Sequence, residues 1–98
     1  MSDLTTVARP YAKAAFAYAV EKNAIAEWED MLGFAAEVAK HDAVQSLLTS
    51  SMTADKLSEV FVNICGEQLN DKGQNLVKVM AENGRLPAMP DVAELFAA

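Results

Sequence analysis

The stretch VARPYAKAAFAYAVEKN, residues 7–23, decides the fold. It is rich in alanine, the strongest helix former, and lacks the β-branched alternation that a strand requires. At about 100° per residue, Val7, Tyr11, Ala14, Ala15 and Tyr18 share one sector of the helix. Ala8, Ala12, Phe16 and Ala19 share the adjoining one. Together they cover about 200°, whereas a helix packed on one side only needs little more than about 100°. Such a helix is covered twice. Either it lies at the centre of a bundle, or it gives one sector to its own core and the other to a second protein.

Outward from this segment the chain reads as helix throughout. Helix one is expected from Thr5 or Thr6 to about Lys22, with Pro10 early, where a missing donor costs least and bends only the first turn. Asn23 is expected to break it and to cap a second helix over residues 24–40. Asp42 and Gln45 have capping-box spacing for a short third helix ending near residue 50. Thr53 caps a fourth over residues 54–68, and Asn70 or Asp71 a fifth that runs to Asn83. Gly84 is placed as its left-handed terminator. Leu86 to Met89 read as a turn, Pro90 as the first position of a sixth helix, and Asp91 as a charge at its positive end. The expectation is an all-α, compact six-helix bundle, a single domain over residues 1–98, with neighbours in sequence packed antiparallel. ELFAA at the C-terminus carries no glycine or proline stop, so further chain is expected to follow.

Composition sets limits on function. A chain of 98 residues that is 52% hydrophobic, with four glycines and three prolines, suits one packed core and neither a disordered nor a fibrous protein. It has no apolar run of the roughly 18 residues that span a bilayer, and no signal-peptide pattern, so a soluble protein retained where it is made is expected. Eight basic residues stand against fourteen acidic ones, a net charge of −6 that repels phosphate backbones.

Chemistry-bearing patterns are weak. His41 has no second histidine or cysteine at ligand spacing, and Cys65, the only cysteine, has no neighbouring base to activate it. Glu27, Glu29 and Asp30 point apart on a helix and read as a solvated face. Trp28 groups with Met31, Leu32, Ala35 and Val38 as core packing. Gly66, Gly73 and Gly84 stand singly, so no phosphate loop is present and neither ATP nor Mg²⁺ is expected to bind. No D-S-L serine context of an acyl carrier occurs. No catalytic residue, cofactor or metal is therefore assigned.

The fifth helix repeats the oddity of the first. Leu76, Val79, Met80 and Asn83 share one sector and Val77 and Ala81 the next, leaving Gln74, Lys78 and Glu82 as a narrow polar face. A groove between two such helices suits an amphipathic helix from a partner. Its expected lining is Val7, Tyr11, Ala14, Ala15 and Tyr18 with Leu76, Val79, Met80 and Asn83. The rival reading is a helical RNA-binding module of the antitermination-factor type, against which the acidic charge counts.

The segments ARPYAKAAFAYAVE, WEDMLGFAAEVAK, ICGEQL and GQNLVKVMAENGRLPAMPDV resemble, in order and from Thr6 to Phe96, the N-terminal domain of the δ subunit of bacterial F-type ATP synthase. The mitochondrial relative is the oligomycin-sensitivity-conferring protein. The resemblance implies a six-helix bundle seated on the α/β hexamer, gripping the N-terminal helix of an α subunit between its first and fifth helices. It implies a non-catalytic stator part, peripheral on the cytoplasmic face of the inner membrane as part of F1Fo. It also implies that the b subunits of the peripheral stalk are met only through a C-terminal domain outside this chain, with no nucleic acid bound and no direct membrane insertion.

Overall fold

Six helices make up the computed structural model, which describes residues 3–97. They are α1 (Asp3–Glu21), α2 (Ile25–Lys40), α3 (Asp42–Leu48), α4 (Ala54–Cys65), α5 (Asp71–Glu82) and α6 (Met89–Ala97). Short 3₁₀ turns occupy Gly66–Gln68 and Leu86–Ala88, and the described residues contain no strand. The all-α expectation holds.

Local side-chain chemistry sets the boundaries. Thr53 Oγ1 accepts the Lys56 N–H at 3.2 Å and Asn70 Oδ1 accepts the Gly73 N–H at 2.8 Å, two N-caps worth about 1 kcal/mol each. Gly84, at φ +69°, ends α5 as expected. The Arg85 N–H reaches the Met80 carbonyl at 2.7 Å and the Gly84 N–H reaches that of Ala81 at 3.0 Å, the paired bonds of a Schellman ending.

Several boundary expectations are corrected. Asn23 does not cap α2; at φ +54° it closes α1, with the Ala24 N–H on the Ala19 carbonyl at 2.8 Å. Asparagine serves both roles, and here the left-handed one wins. Asp42 is the first residue of α3 and not its cap, and no capping box forms. Gly66, at φ +62°, stops α4 at Cys65 and leaves residues 66–68 as a 3₁₀ turn. Pro90 is the second residue of α6, after Met89. Pro10 lies inside α1, so the Thr6 carbonyl loses its helical donor.

Packing is less sequential than the short connections suggest. The most extensive contacts are those of α6 with α2 and α1, and of α4 with α5. The last helix thus joins the first two. On α1 the stripe facing inward is Ala8, Ala12, Ala15 and Ala19, all buried, and side chains this small let α6 approach closely. Phe61, Val77, Met80, Leu86, Met89 and Val92 are the largest fully buried side chains. Trp28 is buried as expected, its indole edge-to-face with Tyr18 at 5.6 Å between centroids. Among the described residues no buried side-chain nitrogen or oxygen lacks a partner.

Candidate functional site

Helices α1 and α5 make little direct contact, because α6 and α2 hold the one and α4 the other. Neither helix therefore covers the outward apolar sector of the other. At the end of α5 the Asn83 side-chain amide donates to the Tyr11 hydroxyl at 2.9 Å, joining residues far apart in sequence. A concavity of about 480 Å³ opens there, lined by Val7, Pro10, Tyr11, Ala14 and Arg85. Residues 7, 11, 14 and 18 follow the i, i+4, i+7 spacing that keeps one helix face aligned. Val7 and Tyr11 are half-buried against the core and Ala14 is exposed. On α5, none of whose residues lines that concavity, Leu76 is half-buried and Val79 is 44% exposed, and Asn83 just beyond it is exposed.

Two expected lining residues lie beneath the surface instead. Ala15 is 5% exposed and Met80 0%, so both are core. Ala15 belongs to the inward alanine stripe of α1, and Met80 turns inward with Val77 and Ala81. Neither presents a contact surface, and Met80 offers no adaptable thioether to a partner. Tyr18 is half-buried at the far end of the α1 stripe, its ring engaged by Trp28 and covered by Lys22 Nζ at 5.8 Å from the ring centroid. Sequence reading missed Pro10 and Arg85. The signal for Arg85 was available: it directly follows the Gly84 terminator, which returns the chain towards α1.

A second concavity of about 430 Å³ lies between α4 and α5, and its walls are mostly polar: Asp55, Ser58, Glu59, Asn63, Gln74, Asn75 and Lys78, with Val62 the one apolar member. Lys78 thus faces α4 and not α1. Elsewhere, burial pushes the Cys65 thiol up to about 11, which keeps it neutral and unreactive near pH 7. The described residues contain no cluster of three histidine, cysteine or carboxylate side chains placed to hold a metal ion. No described helix is long and apolar enough to cross a membrane.

The open apolar positions of α1 and α5 and the hydroxyl–amide bond that ties the two helices lie within residues 7–83, and the family model for the ATP synthase delta (OSCP) subunit matches residues 7–98. The chain belongs to this family. Relatives agree with the assignment. The chain is 64% identical over 96 residues to ATP synthase subunit delta of Vibrio parahaemolyticus, covering 98% of this chain and 54% of that protein. It is 66% identical over 96 residues to ATP synthase subunit delta 1 of Vibrio atlanticus, with the same coverage. Against ATP synthase subunit delta of Vibrio cholerae it is 63% identical over 97 residues, 99% of this chain and 55% of the relative. The delta-family chain therefore spans about half the length of the curated relatives it matches.

Proposed function

We propose that this delta-family domain is a non-catalytic part of the stator of an F-type ATP synthase. It holds the N-terminal amphipathic helix of an α subunit between α1 and α5, and so helps keep the F1 hexamer still against rotary torque. The observation that carries this reading is the pair of apolar faces left uncovered on α1 and α5. Val7, Tyr11, Ala14, Leu76 and Val79 stay wholly or partly open to water on two helices that do not close on each other. A helix seated there replaces water on both walls at once. Each 100 Å² of apolar surface removed contributes about 2.5 kcal/mol before association costs of roughly 4–15 kcal/mol. Such a contact resists torque by dense burial and needs no chemistry.

In this reading the whole subunit is peripheral, on the cytoplasmic face of the bacterial inner membrane. The link to the b subunits of the peripheral stalk is made by the part of the relatives that lies beyond the match. The decisive experiment is calorimetry with a synthetic peptide of the cognate α subunit's first twenty or so residues, about 30 Å of helix. One-to-one binding with a negative heat-capacity change is expected, the mark of apolar burial. Absence of heat across a range of temperatures sinks the reading.

A further inference from the structure

Helix α1 carries a second open stripe, on the side turned away from α5. Arg9, Lys13, Phe16 and Val20 recur at i, i+4, i+7 and i+11, so they line one face. Phe16 is 43% exposed and Val20 52%, large apolar side chains left in water on a helix whose core face is alanine. Phe96 of α6 meets Phe16 edge-to-face, ring centroids 5.4 Å apart. With Leu95 and Ala12 these residues bound a concavity of about 380 Å³, at whose rim stand Arg9 and Lys13. Among the described residues the ion pairs are Lys40–Glu37 and Lys56–Glu59, so neither rim cation is paired.

Two cations with no ion-pair partner among the described residues, set beside an aromatic concavity, stand out on a chain of net charge −6. The charge states what covers the face. We infer that the α1–α6 trough docks an amphipathic helix of a partner protein whose apolar stripe is flanked by glutamate or aspartate. Phe16 and Val20 take the apolar side chains, Phe96 being buried at 4% exposure and backing the Phe16 ring from beneath, and Arg9 and Lys13 pair with the carboxylates. A concave face of this kind fits a cylinder better than a flat lipid surface. The site is separate from the proposed one between α1 and α5, because it uses the opposite flank of α1.

The test uses two synthetic helical peptides with the same leucine stripe, one flanked by glutamates and one by lysines, titrated calorimetrically at low and moderate salt. The glutamate peptide should bind about tenfold or more tightly than the lysine peptide, with the preference shrinking as salt rises. Arg9→Glu with Lys13→Glu should reverse the preference, while Phe16→Ala should weaken both peptides. Circular dichroism checks that each variant remains helical. Equal binding of the two peptides overturns the inference, as does binding that survives the charge reversal. Loss of the glutamate peptide's binding in Val79→Asp would seat it between α1 and α5 and would also overturn it. So would co-sedimentation with phosphatidylserine vesicles that depends on Arg9 and Lys13, or a concentration-dependent dimer, seen by sedimentation velocity, that Phe16→Ala abolishes.

Discussion

Two hollows of nearly equal size mark the surface, about 430 Å³ between α4 and α5 and about 480 Å³ on α1 beside Arg85, just past the end of α5. Volume does not distinguish them; lining does. Towards α4 the walls are amides, a hydroxyl and charges with Val62 among them, and the Ser58 hydroxyl and Gln74 amide already donate to the Asp55 and Leu69 carbonyls. Covering them would leave any unmatched group at a cost of about 1–3 kcal/mol. Towards α1 the walls are alkyl and aromatic, with Arg85 as the one charged member of the concavity. Water there gains little from the surface and is readily displaced. A hollow becomes a docking site when its occupant loses fewer hydrogen bonds than the water did.

This contrast can be broken at several points. The largest effect is expected from Met80→Ala, which empties core space beneath the α1 side of α5. Chemical denaturation should show a loss of about 2–5 kcal/mol. If stability held while affinity for the α-subunit peptide fell, Met80 would belong to the docking surface and not to the core. Next, Val79→Asp, or Ala14→Asp on the facing wall, should weaken that peptide by about tenfold or more with helical circular dichroism intact, since either sets a carboxylate against apolar surface. Unfolding of these variants would show the two positions to be structural.

Tyr11→Phe sharpens the contrast, because it removes only the hydroxyl that accepts the Asn83 amide. A loss of about 0.5–1.5 kcal/mol in peptide affinity is expected by calorimetry. No change would mean that the two helices keep their spacing without that bond. Lys78→Ala is expected to be the smallest effect, within about twofold in affinity and about 0.5 kcal/mol in stability, since this exposed side chain faces α4. A large loss would move the docking surface to the polar side of α5.

Most of the fold was legible because its punctuation is chemical. Thr53, Asn70 and Gly84 act where their side chains, or the lack of one, require them to act. Asn23 misled because the same residue suits the start of one helix and the end of another, and only the backbone angle separates the two. Helical periodicity also identified which sectors of α1 and α5 are apolar. It could not fix which of them the core would claim. That depends on α6 lying across α1, a long-range placement absent from any local pattern. Hence Val7, Tyr11, Ala14, Leu76, Val79 and Asn83 were assigned to accessible positions, while Ala15 and Met80 were rotated into the interior.

The bond from Asn83 to Tyr11 has a directional consequence. It ties the C-terminal end of α5 to α1 beside Arg85, and so makes the two ends of the proposed docking channel unlike. A guest rod with a backbone dipole is itself asymmetric, its carboxyl end being the negative one. Lying one way round it brings that end to the guanidinium; lying the other way it brings its amino end there. Composition alone therefore cannot specify a ligand for this channel, and a peptide of reversed sequence is not an equal competitor.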